Sequence, residues 1–209
     1  MTIKKLQHII MITLILIGLA TPALAQEQTD NFNVAAKHAI AIETTTGKVL
    51  YEKDATTPNG VASMTKILTA YMVYKAVDQG KINWDTEVNI SDYPFNLTVD
   101  SEVSNIPLDS RKYTVKQLLD ATLISSANSA AIALAEKISG SESAFVDTMT
   151  AQLKEWGIAD AKLFNASGLN NKYLGDNRYP GSKPDDENTM SALDVAIIAD
   201  HLIKDYPQV

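Results

Sequence analysis

Apolar positions along the chain repeat with two different periods. The runs HAIAIE (38–43) and KVLYEK (48–53) alternate apolar and polar side chains around Thr44-Thr45-Thr46-Gly47, which predicts a β-hairpin. After the break at Pro58-Asn59-Gly60 the period lengthens. Met64, Ile67, Leu68, Tyr71 and Met72 fall at i, i+3, i+4, i+7 and i+8, one stripe of a helix that begins near Ser63 and stops at Gly80. Residues 82–91 alternate weakly, as an extended segment does. The stretch onward to Lys112, with Pro94, Asn96 and Pro107, reads as irregular.

Thr114 is placed to cap a second helix whose stripe is Val115, Leu118, Leu119 and Leu123. ISSANSA (124–130) interrupts it, and AAIALAEKI resumes as an alanine-rich buried helix ending at Gly140. A further helix is expected over 141–156, with Gly157 as its stop. Residues 161–169 predict a short extended segment and turn, and 170–188 a polar surface loop. Ser191 caps a last helix, with Ala192, Val195, Ala196 or Ile197, Ala199 and Leu202 inward. A hairpin followed by a mostly helical body is an α+β pattern. A two-stranded hairpin is marginal alone, so its support is expected either beyond Val209 or from the helices.

The N-terminal 25 residues have the order of a cleavable signal peptide: Lys4 and Lys5, an apolar run over 9–20, then Ala23-Leu24-Ala25. That predicts an exported, extracytoplasmic protein and a remaining domain over 26–209. Losing Lys4 and Lys5 moves the formal charge from −7 to −9, and no basic stripe exists, so nucleic acid is excluded as a partner. With no cysteine, disulfides, thiol nucleophiles and thiolate metal sites are excluded too. His8, His38 and His201 are isolated, and no metal site or cofactor is expected.

Ser63 and Lys66 stand three apart on the expected helix, close enough for the lysine to reach the hydroxyl. Alone, Ser-x-x-Lys also fits a capping serine with a solvated lysine. For lysine to accept the serine proton it must be neutral, and a shift from about 10.4 to about 7 needs roughly 4.6 kcal/mol. A helix N-terminus supplies at most about 2 kcal/mol, so a closed polar site is required. Ser126 and Asn128, at the break between two helices, are the candidates to complete it. Serine there could relay a proton, and asparagine could hold the lysine and bond a substrate amide.

Ser-x-x-Lys followed by Ser-x-Asn is the motif order of β-lactamases and penicillin-binding proteins. Together with AIAIETTTGKVLYEKDA, FNASGLN and MSALDVAIIADHLI, it makes residues 32–209 resemble the low-molecular-weight penicillin-binding proteins that act as serine-type D-alanyl-D-alanine carboxypeptidases. The resemblance implies a β-lactamase/transpeptidase-like α+β fold, an antiparallel sheet packed on a helical subdomain. It implies Ser63 as acylated nucleophile, Lys66 as general base, Ser126 as proton relay and Asn128 as the residue that positions lysine and substrate. The Ser63 amide would be one oxyanion donor. The implied substrate is a peptidoglycan stem peptide ending in D-Ala-D-Ala, with β-lactams as inhibitors and no cofactor.

The third motif of these proteins, Lys-Thr-Gly on a later strand, is absent here. The chain is therefore expected to be the N-terminal part of a longer catalytic domain, cut before the later strands and before a C-terminal membrane-associating segment, and as such to be inactive alone. A β-lactamase of the same fold is the nearest rival, although Ala127 stands where class A enzymes carry Asp and Glu187 has no recognisable deacylation setting. A non-catalytic wall-binding protein and a transpeptidase remain open alternatives.

Overall fold

In the computed structural model, which describes residues 32–99 and 102–209, the alternating runs pair as an antiparallel hairpin, β1 (Ala39–Ile42) with β2 (Val49–Lys53). Ala39 faces Lys53, and the register slips between Ala41 and Ile42. The Thr46 hydroxyl and the Thr45 and Thr46 amides bond the Glu43 carboxylate in the turn and hold it down to about 2. The expected signal peptide lies outside the described residues.

The rest of Ala36–Val209 forms one unit with the hairpin. In order it contains β3 (Asn59–Gly60), α1 (Thr65–Asp78), β4 (Glu87–Asn89), α2 (Asp92–Leu97), β5 (Lys112–Thr114), α3 (Val115–Ile124), α4 (Asn128–Ser139), α5 (Glu142–Glu155), β6 (Thr189–Met190) and α6 (Ala192–Asp205). β1 packs on α6, so helices support the hairpin here. β3 pairs antiparallel with β6, tying the entry of α1 to the entry of α6, and β4 pairs with β5. No described helix is long and apolar enough to cross a membrane.

α1 is the central helix, touching α3, α4, α5 and α6. Burial extends almost all round it, from Leu68 and Tyr71 to Thr65, Thr69, Ala70, Val73 and Ala76. The single stripe expected from the sequence is corrected accordingly: Met64 is 49% exposed, and a helix surrounded by others needs no polar face. One core lies on the α3 and α4 side, around Val73, Leu118, Leu119 and Leu134. The other lies on the α5 and α6 side, around Leu68, Phe145, Met149 and Ile198. α4 approaches closely because Ala130, Ala131, Ala133 and Ala135 are all buried small residues.

Three local expectations change. The extended segment contracts to β4, and the irregular stretch contains α2, whose Pro94 falls in the first turn where a missing N–H costs nothing. α6 turns Asp194, Ile198 and Leu202 inward. Its capping box, in which Ser191 and Asp194 bond each other's amides, buries Asp194. Val195 and Ile197 pack against the edge of the core as expected, while Ala192, Ala196 and Ala199 line, with Val195, a groove shared with Ile40 and Met64.

Candidate active site

Ser63 does not open α1. It stands in a 3-10 turn, Ala62–Met64, entered through a left-handed Ala62 (φ 44°), and makes no capping bond. Lys66 is the second residue of α1, so the turn and the helix still present both side chains to one point. Lys66 Nζ lies 3.0 Å from Ser63 Oγ.

Lys66 is only 3% exposed, and its amine meets two further oxygens, Asn128 Oδ1 and the Ser167 carbonyl, each at 2.8 Å. Burial pulls its pKa down to about 8. The chain reaches Ser126 in a left-handed conformation (φ 53°) at the break between α3 and α4, and the Ser126 hydroxyl donates to Ser63 Oγ at 2.9 Å. Asn128 opens α4 and donates its Nδ2 to the Ser104 carbonyl at 2.9 Å, which fixes its amide with Oδ1 toward lysine. Ser104 O also accepts the Asn128 N–H, and Asn105 Oδ1 accepts that of Ser129, so residues 104–105 satisfy the first free amides of α4. All four side chains singled out in the sequence therefore meet at one point.

The third lysine partner, the Ser167 carbonyl, is not signalled by any motif. A backbone carbonyl has no residue signature, and FNASGLN, although it contributes to the resemblance, predicts locally no more than an extended segment and turn. In the structure each amide from 164 to 169 donates to a side chain. Asn188 Oδ1 takes Phe164 and Asn165, Glu142 Oε1 takes Ala166, Asn165 Oδ1 takes Ser167 and Gly168, and Ser167 Oγ takes Leu169. Asn188 also donates to Thr65 Oγ1 and to Asn165 O, and the Thr69 hydroxyl donates to Ala166 O. The segment is thus stitched to α1 beside Lys66. Glu187, next to Asn188, lies against Gly60.

Among the described residues, no group of three or more His, Asp or Glu is placed to hold a metal ion. What the arrangement can do is move a proton. A neutral amine has two N–H bonds and one lone pair. Asn128 Oδ1 and Ser167 O can only accept, so the lone pair faces the Ser63 hydroxyl. Ser126 then offers a second hydroxyl to the same oxygen.

An α+β scaffold with Ser-x-x-Lys and Ser-x-Asn joined in this way has the architecture of the penicillin-recognising serine enzymes. Residues 23–209 match the D-alanyl-D-alanine carboxypeptidase family, and the chain belongs to it. It is 34% identical over 204 residues to the D-alanyl-D-alanine carboxypeptidase DacF of Bacillus subtilis (strain 168), an alignment covering 96% of this chain and 48% of that protein. Its structure is similar to that of a peptidoglycan synthesis regulatory factor (PBP3) from Streptococcus pneumoniae, at 65% identity and a TM-score of 0.84, over 85% of this chain and 50% of that one. It is also similar to penicillin-binding protein D2 of Listeria monocytogenes in a cefotaxime-bound form, at 25% identity and a TM-score of 0.71, over 85% and 66% of the two chains. The chain thus spans about half the length of DacF and of PBP3.

Proposed function

We propose that this chain carries the nucleophile half of a serine-type D-Ala-D-Ala carboxypeptidase of the cell envelope, one that removes the terminal D-alanine from peptidoglycan stem peptides. The observation that carries the reading is the buried Lys66 amine set between two oxygens that can only accept and one hydroxyl, that of Ser63, from which it can take a proton when neutral. Lys66 takes the Ser63 proton as Oγ attacks the carbonyl carbon of the penultimate D-alanine. The Ser63 amide, at the start of the helical turn, bonds the oxygen that becomes negative. As the intermediate collapses, the C–N bond breaks and the proton passes through Ser126 to the leaving D-alanine nitrogen. Asn128 holds the lysine and offers its remaining N–H to the substrate. Water, deprotonated by the same lysine, then attacks the acyl carbon, the bond to Ser63 Oγ breaks, and the proton returns from Lys66 to that oxygen. β-Lactams enter the same chemistry by presenting a strained amide to Ser63, and the likeness to a protein captured with cefotaxime supports that assignment.

The test is the intact mass of the complete gene product before and after penicillin. One adduct mapping to Ser63, lost in Ser63→Ala, together with D-alanine release from a stem peptide, is the expected result. An adduct-free protein that binds stem peptide equally well after Ser63→Ala would overturn the assignment in favour of wall binding without chemistry.

A further inference from the structure

Behind the segment that carries the Ser167 carbonyl lies a carboxylate which the chemistry above does not use. Glu142, in the first turn of α5, is 6% exposed. Its Oε1 accepts the Ala166 N–H at 2.9 Å and its Oε2 accepts the Tyr93 hydroxyl of α2 at 2.8 Å. Every other amide of 164–169 is held by an asparagine or a serine, so Glu142 is the one anchor there that can gain or lose a charge. Its partner residue, Ala166, is bonded to the neighbour that faces lysine. Ala166 O takes Thr69, and the next carbonyl, Ser167 O, takes Lys66.

We infer that Glu142 is a positioning residue for Lys66, holding the Ser167 carbonyl against the amine through the Ala166 N–H, and that protonation of Glu142 loosens this hold. The inference deepens the acyl-serine reading and rests on it for its kinetic consequence. A hydrogen bond to an ionised carboxylate is shorter and stronger than one to a neutral acid, so the anchor is firm only when Glu142 is charged. Burial pushes Glu142 up to about 7, against the Ala166 and Tyr93 bonds, which favour the ionised form. The groups facing it are Tyr93 from α2, Glu136 from α4, which adds repulsion, and the Ala166 amide. The anchor therefore loosens as the medium is acidified through neutrality.

The experiment uses the complete gene product and two readouts: the rate of Ser63 acylation by penicillin from about pH 5 to 9, and the titration of Lys66 followed by NMR of its ε-carbon. Glu142→Ala leaves the Ala166 amide unsatisfied and is expected to slow acylation at least ~10-fold at pH 7.5 and to shift the Lys66 titration away from its native position, because the Ser167 carbonyl that accepts from the amine is released. Glu142→Gln keeps an oxygen for the amide and removes the charge. As a neutral stand-in for the protonated acid, it is expected to acylate near pH 8 at the slower level that the native protein shows below pH 7, and to lose the part of the acid limb that lies near pH 7. If Glu142→Ala fails to fold, Glu142→Gln decides. Variants that melt earlier but keep the native pH profile and the native Lys66 titration would reduce Glu142 to structural support and overturn the inference. A native protein that takes no penicillin refutes the acyl-serine reading separately, because the Lys66 titration still tells whether Glu142 positions the amine.

Discussion

A methyl group at position 168 would stand 1.8 Å from the Ala62 carbonyl oxygen and 2.8 Å from Thr65 Oγ1. Gly168 also has φ 76°, a conformation that side chains disfavour. Gly168→Ala must therefore push the 164–169 segment away from the Ser63 turn, and a loss of about 2 to 4 kcal/mol is expected in urea unfolding, with slowed penicillin acylation. A stable variant with native acylation would show that the contact is slack. Lys66 carries the other large residue-level cost. Its descent from 10.5 to about 8 corresponds to about 3 kcal/mol, less than the shift to 7 considered from the sequence would need. Its two partners besides Ser63 differ in legibility. Asn128 announced itself as a polar residue at a helix break, whereas Ser167 contributes only a carbonyl, which any residue could supply.

At the scale of elements, α3 shows how closely local chemistry tracks structure. Thr114 Oγ1 accepts the Gln117 amide at 3.2 Å, and Gln117 Oε1 accepts the Thr114 amide at 2.9 Å. Thr114→Ala should cost about 1 kcal/mol in urea unfolding and leave acylation by penicillin unchanged, since the cap lies at the far end of α3 from Ser126. A tenfold change in acylation would mean that α3 as a whole sets the position of Ser126. The hairpin, α3 and α5 were readable for the same reason, because each is closed by a turn or cap that its own residues define. The faces of α1 are not legible in the sequence, since a helix enclosed by four others has no polar side to set the period. β3 and β6 went unseen. Two residues each, they exist through pairing with one another across the fold.

For the whole molecule, two of the buried titratable groups, Glu142 and Lys66, pull stability in opposite directions with pH. Glu142 is raised from 4.5 to about 7, so between those values the folded chain binds more protons than the unfolded one, and stability falls as pH rises. Lys66 is lowered from 10.5 to about 8, so between those values the unfolded chain binds more protons, and stability rises with pH. Each arm amounts to about 3 kcal/mol at most, and their combined contribution is lowest near pH 7 to 8, where a neutral lysine and an ionised glutamate are both accessible. Urea unfolding of native protein and Glu142→Gln across pH should differ by a slope confined to the lower arm. Parallel curves would contradict the burial of that carboxylate. The paired motifs, and through them the family, could be read in the sequence because two short patterns occurred in order. The distances that join them could not, since Lys66 meets residues 62 and 101 positions away and Thr65 meets one 123 away. Closures of that length come at an entropic cost, and the contacts that reward them form only once the chain has already collapsed. Until then Lys66 is a solvated cation, and Ser63 has no base. In the proposed reading, a chain still folding carries no reactive hydroxyl, and the ability to be acylated arrives together with the finished fold.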